Sequence, residues 1–192
     1  MKTKTYRNIE LNSFEKGIFL KFTTRELSTI IVFTSISALF SVPIGYLGNY
    51  LKTIPILPMG TGQILAGFHL VMIALAAKRI RKHGTATITG LLKGLVEAVL
   101  FSYHGVVVIA ISAVQGLVID VFIMMFGDES RLGLVLGCGV SALSNVLFMH
   151  FIIRLPFPPS VFFLMYLLSF ISGVLFGAYP VFYLQGMIDK RL

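Results

Sequence analysis

The chain has 192 residues, of which 56% are hydrophobic and 12% are charged, and its mean hydropathy is +0.89. Soluble domains carry about one quarter charged residues, so this composition excludes a water-soluble domain and indicates an integral membrane protein. The net charge of +8 does not indicate a nucleic-acid partner, because the basic residues lie between apolar runs and form no basic face with interleaved aromatic residues.

Residues 1–25 precede the first long apolar run and mix charged side chains with apolar ones such as Phe14, Ile18 and Leu20. This mixture is typical of a helix at the membrane interface, so we expect a cytoplasmic N-terminal segment with a short interfacial helix. The apolar run that follows lacks a small-residue cleavage site, which indicates a membrane span rather than a removable signal peptide.

Six apolar runs follow, each close to the length of about 20 residues that a helix needs to cross the hydrocarbon core. They predict an all-α integral membrane protein whose residues 26–188 form one bundle of six transmembrane helices. The second run is the shortest, and its alternative is an interfacial helix. The predicted spans are residues 26–48, 62–77, 85–103, 105–126, 132–153 and 160–184.

The distribution of positive charge predicts the orientation of the bundle. With the N-terminus in the cytoplasm, the outside loops hold only Lys52 and Arg154, and every other lysine and arginine outside the spans lies on the inside. We therefore expect both termini in the cytoplasm. The outside segments 49–61 and 154–159 are apolar and contain prolines, so they either pack over the end of the bundle or form a lid over an outward-facing pocket.

Ionisable groups within spans are few, and each costs about 2.5–3.5 kcal/mol at the bilayer centre, so each needs a partner or a function. A rise of 1.5 Å per residue places Lys93 roughly 12 Å and Asp120 roughly 9 Å from the inside boundary. Their spans are joined by a short outer turn and should be antiparallel neighbours. We predict that Lys93 and Asp120 form a structural ion pair.

That pairing leaves Glu97 without an opposite charge in the outer half of the bundle. An unpaired carboxylate beside polar and aromatic groups predicts a small-molecule site that favours a cationic or amine-bearing ligand. The alternatives are that Glu97 is a second partner of Lys93 and that His69 and His150 are helix-packing groups. The side chains predicted to converge with Glu97 are Gln63, Asn145, His150, His104, Tyr103, Tyr46 and Asn49.

Metal binding and catalysis are not indicated. Cys138 is the single cysteine and lies within an apolar run, which excludes an intramolecular disulfide and a multi-cysteine metal site. The histidines have no neighbouring thiolates or carboxylates at ligand spacing. No nucleophile–base motif, phosphate loop or dinucleotide fingerprint occurs, so we expect neither an enzyme nor a bound cofactor.

The first span carries small residues, Thr34, Ser37, Ala38 and Ser41, among large apolar ones. Two pairs four residues apart, Thr34 with Ala38 and Ser37 with Ser41, let another helix approach closely. This face either packs inside the bundle or docks another membrane subunit.

The pattern resembles the S components of energy-coupling factor (ECF) transporters, over roughly residues 26–188. The resemblance is closest to the YkoE-like branch for thiamine and its hydroxymethylpyrimidine precursor. It depends on residues 77–86 (AKRIRKHGTA), 90–97 (GLLKGLVE) and 115–122 (QGLVIDVF).

The resemblance implies a multi-pass subunit in a prokaryotic plasma membrane that binds a vitamin near the outer face. It also implies docking on a membrane scaffold subunit, at the small-residue face of the first span, and ATP hydrolysis by two separate ATPase subunits. Two other functions stay open: an autonomous secondary transporter or channel, and a non-catalytic subunit of another membrane complex. Neither half-repeats with broken helices nor a set of redox ligands is evident in the sequence to favour them.

Overall fold

In a computed structural model, the described residues are 22–51, 61–100, 106–154 and 156–190. Within these ranges the chain is helical and has no strand, which confirms the all-α prediction. Three predictions fall on residues outside these ranges: the interfacial helix of the N-terminal segment, most of the first predicted outside loop, and the site residues Tyr103 and His104.

The described residues form six helical rods, which we number α1 to α6. Three of the rods contain a segment with a different helical pitch, either a tighter 3-10 turn or a wider π turn. The bounds are α1, Thr24–Leu51; α2, Thr61–Leu65, a 3-10 turn Ala66–Leu70 and Val71–Ile80; α3, Thr85–Leu100; α4, Val107–Phe126; α5, Arg131–Leu147 and a π turn Phe148–Ile153; α6, Pro159–Ser172, a π segment Gly173–Ala178 and Tyr179–Asp189.

Five of the described helices are long and apolar enough to cross a membrane, by length and composition. They are Thr24–Leu51, Gly62–Ile80, Val107–Phe126, Arg131–Ile152 and Pro159–Met187. Helix α3 has 16 described residues, and the span predicted for it continued to residue 103, beyond the described range. The count of six spans and the cytoplasmic position of both termini therefore stay predictions.

Glycines bring α3 and α4 into backbone contact. A Cβ atom on Gly90 would overlap the carbonyl group of Ser112, and one on Gly116 would overlap that of Ala86. Small residues at such positions allow two helices in a membrane to approach more closely than large side chains permit. This close contact fixes which side chains of α3 face α4 and which face the other helices.

The irregular segments of α2 and α6 pack against each other. The backbone N–H of Gly67 donates to the Ser172 hydroxyl at 2.9 Å, and that hydroxyl donates to the carbonyl of Ile64 at 2.5 Å. The side-chain hydroxyl thus satisfies backbone groups where the pitch of α2 changes. This contact sets the position of His69, which lies in the 3-10 turn of α2.

The apolar core lies between α2, α4, α5 and α6. Leu70, Ile73, Ile119 and Leu134 are fully buried there, as is the thiol-bearing side chain of Cys138. Cys138 therefore packs as a small apolar residue.

Candidate functional site

A buried ion pair lies on α3. The Lys93 Nζ atom is 2.8 Å from Oε1 and 2.9 Å from Oε2 of Glu97. The two residues are four apart, so they are neighbours on one face of the helix. Lys93 is 2% exposed and Glu97 is also buried, so the two charges have lost most of their hydration and depend on each other.

Two further side chains reach this pair from other helices. The Ser41 hydroxyl, on α1, donates to Oε1 of Glu97. The Nδ1 atom of His69, on α2, lies 3.2 Å from the Ser41 Oγ atom and 4.0 Å from Oε1 of Glu97. Ser41, His69, Lys93 and Glu97, which we call the polar cluster, thus join three helices through side chains alone.

The net charge of the polar cluster determines which kind of ligand it can bind. Lys93 and Glu97 carry opposite charges at hydrogen-bond distance, so the cluster is neutral overall when His69 is neutral. Glu97 is not the unpaired carboxylate that one of the two predictions requires, and the structure shows the other, in which Glu97 is a partner of Lys93. The cluster therefore offers directed hydrogen-bonding groups rather than a net negative charge.

The structure differs from the predicted ion pair of Lys93 with Asp120. Asp120 accepts hydrogen bonds from the backbone N–H groups of Ala86, at 3.1 Å, and Thr87, at 2.7 Å. It also accepts one from the Thr87 hydroxyl at 2.6 Å. Lys93 lies further along α3 and bonds to Glu97.

The physical reason lies in the first turn of α3. The first N–H groups of a helix have no partner within it and carry partial positive charge, so they bind a carboxylate well. The contact at Gly116, one turn before Asp120 on α4, holds α4 against that turn. The Asp120 carboxylate therefore accepts three hydrogen bonds from this turn and needs no lysine as a partner.

The first turns of α2 and α6 and the last turn of α5 form a second polar group. The Gln63 side-chain amide donates to the Met149 sulfur at 3.4 Å, and the His150 Nδ1 atom is 3.2 Å from the Tyr166 hydroxyl oxygen. The His150 ring also stacks on Phe162, with centroids 3.9 Å apart and planes at 15°. We call Met149, His150, Phe162 and Tyr166 the aromatic cluster.

The side chains predicted to converge with Glu97 therefore do not lie in one site. Glu97 belongs to the polar cluster, whereas Gln63 and His150 lie at the aromatic cluster. Asn145 is half-buried on α5, one turn before Met149. Tyr46, which is 74% exposed, and Asn49 lie on exposed faces of α1, so the structure does not bury them with Glu97.

The small-residue face of α1 lies inside the bundle. The side chains of Thr34, Ser37, Ala38 and Ser41 are buried, each at most 9% exposed. They pack against α3 and the second half of α2, because small side chains allow those helices to approach. The structure therefore shows the packing alternative, and these four residues do not form an exposed docking face.

Ser41 and His69 are members of the candidate site that the sequence prediction did not include. The sequence predicts packing or docking for Ser41 and favours packing for His69, and both are polar residues within apolar runs. That polarity is the signal that could have identified them, because a hydroxyl and an imidazole at membrane depth need partners as a carboxylate does. Among the described residues, no three His, Cys, Asp or Glu side chains are grouped in a way that could hold a metal ion.

Comparison with known proteins gives two similarities. The sequence model of the family described as "ABC-type cobalt transport system, permease component" matches residues 25–143. A solved structure described as "Crystal structure of an S-component of ECF transporter" aligns with a TM-score of 0.80 and 21% sequence identity, over 89% of this chain and 87% of that chain. The latter similarity establishes a common fold. Among curated proteins, none matches the chain.

Proposed function

The chain belongs to the family of permease components of ABC-type cobalt transport systems, and on that premise we propose that it is the substrate-binding membrane subunit of an ECF-type importer. The proposed substrate is a vitamin or vitamin precursor captured from the outer face. The observation that carries the proposal is the polar cluster, in which α1, α2 and α3 contribute the buried side chains of Ser41, Lys93 and Glu97 and the half-buried side chain of His69 within the predicted spans. Polar groups are retained there, against their insertion cost, where they serve a function.

We favour thiamine or its hydroxymethylpyrimidine precursor as the ligand. Both contain an aminopyrimidine ring, whose amino group donates hydrogen bonds and whose ring nitrogens accept them. Glu97 offers acceptors, while Ser41 and His69 offer groups that can donate or accept. The aromatic cluster supplies a ring surface of the kind on which a flat ligand stacks.

The internal ion pair bears on the choice between the two ligands. Because Lys93 offsets the charge of Glu97, the positive thiazolium ring of thiamine gains less attraction than an unpaired carboxylate would give it. The precursor has no such ring. Its affinity should therefore approach that of thiamine.

The proposal includes partners. The sequence contains no phosphate-binding loop motif, so ATP would be hydrolysed by two separate ATPase subunits that act through a membrane scaffold subunit. The scaffold would contact exposed side chains, such as those of Leu39 and Phe40 on α1, since the small-residue face is buried. We propose cytoplasmic termini and a prokaryotic plasma membrane, on the basis of the positively charged segments.

The test is titration of the purified protein in mild detergent with thiamine and, separately, hydroxymethylpyrimidine. We expect saturable binding of at least one ligand, and we expect Glu97→Gln to weaken it by about tenfold or more, since hydrogen bonds to charged groups contribute about 1.5–3 kcal/mol. Glu129→Gln is the matched control, because Glu129 is exposed at the other end of the bundle and pairs with Arg81.

Two results would contradict the proposal. If folded wild-type protein bound neither compound, thiamine and its hydroxymethylpyrimidine precursor would be ruled out as the ligands. Equal losses in Glu97→Gln and Glu129→Gln would show that the polar cluster does not contact the ligand.

The family description also names cobalt, which makes Co²⁺ a second candidate substrate. In the polar cluster, only His69 and Glu97 are typical donors for such an ion, and a closed site needs more ligands. Titration with Co²⁺ in the same detergent tests this candidate. Binding that is lost in His69→Ala and in Glu97→Gln, without any vitamin binding, would favour the metal.

A further inference from the structure

A cavity of about 210 Å³ lies where the last turn of α2, the first turn of α5 and the last turns of α6 meet. It is at the opposite end of the bundle from the aromatic cluster. We call it the lysine cavity. It is lined by Lys78, Glu129, Arg131, Phe182, Gln185 and Gly186.

The most deeply buried charge of this lining is the ammonium group of Lys78. The residue is 7% exposed, and its Nζ atom donates to the backbone carbonyl of Asp128 at 2.5 Å. An ammonium group has three N–H donors, and this carbonyl uses one of them. None of the ion pairs among the described residues includes Lys78, although a buried charge is stabilised by a counter-ion. Lys78 therefore offers the cavity two donors and a positive charge.

A second cation enters the lining from α5. The guanidinium group of Arg131 lies over the ring of Phe182, with its Cζ atom 6.0 Å from the ring centroid. A guanidinium group over a ring keeps its N–H groups at its edges, where their planar arrangement suits the oxygens of a phosphate group. Arg131 likewise belongs to none of the ion pairs among the described residues.

The carboxylate of the lining has its own partner. Glu129 is paired with Arg81, whose Nη1 atom is 3.0 Å from Oε1 of Glu129, and the Glu129 side chain is 83% exposed. Around the cavity, the described side chains thus carry one more positive than negative charge. A phosphodiester, with its single negative charge, would balance them. The cations are Lys78, Arg81 and Arg131, and the carboxylates are Asp128 and Glu129.

The length of α6 places the lysine cavity at the level of the lipid headgroups. The apolar stretch Pro159–Met187 has 29 residues and spans about 43 Å at 1.5 Å per residue, which matches a bilayer of about 40–45 Å including both headgroup layers. Gln185 and Gly186 lie at the end of this stretch and so in one of those layers. Tyr183 is 72% exposed beside them, and tyrosine is enriched at that depth.

An aromatic surface leads from the cavity towards the hydrocarbon core. Tyr179 precedes Gly186 by seven residues, so the two lie within about 20° of each other around α6. Tyr179 is 60% exposed and contacts the ring of Phe182 edge-on, with centroids 6.5 Å apart. A ligand with a phosphate group in the cavity would therefore meet an apolar surface on the side of the membrane interior.

We propose that the lysine cavity binds the headgroup of an anionic phospholipid, with Lys78 and Arg131 as ligands of the phosphate. The Gln185 amide is positioned to bind a headgroup hydroxyl, and an acyl chain would lie beside Tyr179 and Phe182. Basic pockets between helices, on the side with the positively charged loops, are the usual sites for such lipids. The proposal goes beyond the vitamin proposal and does not depend on it.

Gly186 provides a variant that fills the cavity without removing a charge. A Cβ atom on Gly186 would meet no heavy atom within 4 Å, and leucine favours a helix more than glycine does. Gly186→Leu should therefore fold normally while its side chain occupies the headgroup position. Gly45→Leu is the matched control, because Gly45 has the same open surroundings at an exposed position of α1.

The test is native mass spectrometry of the full chain in mild detergent, with equal amounts of phosphatidylglycerol and phosphatidylcholine added. We expect wild-type protein and Gly45→Leu to retain phosphatidylglycerol preferentially, and Gly186→Leu to lose that preference. Arg131→Gln should weaken phosphatidylglycerol binding about fivefold, the effect of one basic residue near an anionic lipid surface. Arg154→Gln removes the same charge from an exposed position at the other end of the bundle and should change nothing.

Two further measurements make the result decisive. Arg131→Lys keeps the charge and should keep most of the lipid, which separates charge loss from misfolding. Inorganic phosphate added alone should neither raise the melting temperature nor displace the lipid. Equal retention of both lipids by wild-type protein, unchanged retention in Gly186→Leu and Arg131→Gln, an equal loss in the two control variants, or displacement by inorganic phosphate would overturn the proposal.

Discussion

Two carboxylates on neighbouring helices, the buried Glu97 and the half-buried Asp120, have very different surroundings. Asp120 is held by two backbone N–H groups and a hydroxyl from a single turn of α3. Glu97 is held by Lys93 from its own helix and by Ser41 from α1, with His69 of α2 close by. Both residues are acidic groups within apolar runs, so their sequence context does not distinguish them.

The difference between the two regions concerns which partners can move. The backbone donors of Asp120 are fixed for as long as α3 is folded, so this carboxylate joins α4 to α3 permanently. The partners of Glu97 are side chains with rotatable bonds, and His69 is only partly buried. A ligand can replace such partners without unfolding a helix, which is why we assign structure to the Asp120 region and binding to the Glu97 region.

The largest expected effect comes from Lys93→Met, which leaves the Glu97 charge buried without its counter-ion. Breaking a buried ion pair on one side typically costs about 3–5 kcal/mol. The free energy of unfolding, measured by titration with sodium dodecyl sulfate in mixed micelles, should fall by an amount in this range. Removal of both charges, in Lys93→Met with Glu97→Gln, should restore most of the stability.

The double variant is the control that makes the result specific. If it is as unstable as Lys93→Met alone, the loss comes from packing of the lysine stem and not from the stranded charge. That outcome would mean that the ion pair of Lys93 with Glu97 does not organise the polar cluster.

The next largest effect should come from Asp120→Ala, which leaves three donors of α3 without an acceptor. Buried donors left unsatisfied cost about 1–3 kcal/mol each, partly recovered when the helix end relaxes, so we expect a loss of about 2–4 kcal/mol. Vitamin affinity of the folded fraction should be unchanged. Glu129→Ala is the control, since an exposed ion pair contributes less than about 1 kcal/mol.

A loss of vitamin affinity in Asp120→Ala that matched the loss in Glu97→Gln would contradict the division into two regions. It would mean that the close contact of α3 with α4 controls the polar cluster directly. The affinity measurement therefore has to accompany the stability measurement.

The helices themselves could be predicted from the sequence. The run predicted at residues 105–126 forms Val107–Phe126, and the run predicted at 132–153 corresponds to Arg131–Ile152, because long apolar runs in a membrane protein leave few alternatives to a helix. The sequence also points to Lys93, Glu97 and Asp120 as charged groups within the predicted spans that need partners. In the structure Lys93 and Glu97 pair with each other, and Asp120 accepts three hydrogen bonds.

The pairing of those charges could not be predicted, since it depends on how each helix is rotated about its axis. Depth along the helices placed Lys93 and Asp120 close together, but the glycine contacts at Gly90 and Gly116 turn α3 so that Asp120 meets its first turn. The role of Ser41 also depends on which helix packs against it. A small-residue face suits a partner subunit and a neighbouring helix equally well, and only the fold shows that α3 occupies it.

The smallest predicted effect is that of Ser41→Ala, which removes one neutral donor from Glu97 and leaves the lysine in place. A single such hydrogen bond contributes about 1 kcal/mol, so stability should fall by about that amount and vitamin affinity by about fivefold. Ser35→Ala is the matched control, because Ser35 is exposed on the same helix and should change neither quantity. If Ser41→Ala lowered stability as much as Asp120→Ala does, Ser41 would be a fixed structural partner, and the Glu97 region would resemble the Asp120 region in rigidity. A fall in affinity together with a stability loss of only about 1 kcal/mol is instead what a replaceable partner produces, since its hydrogen bond is formed with the ligand as well as with the protein.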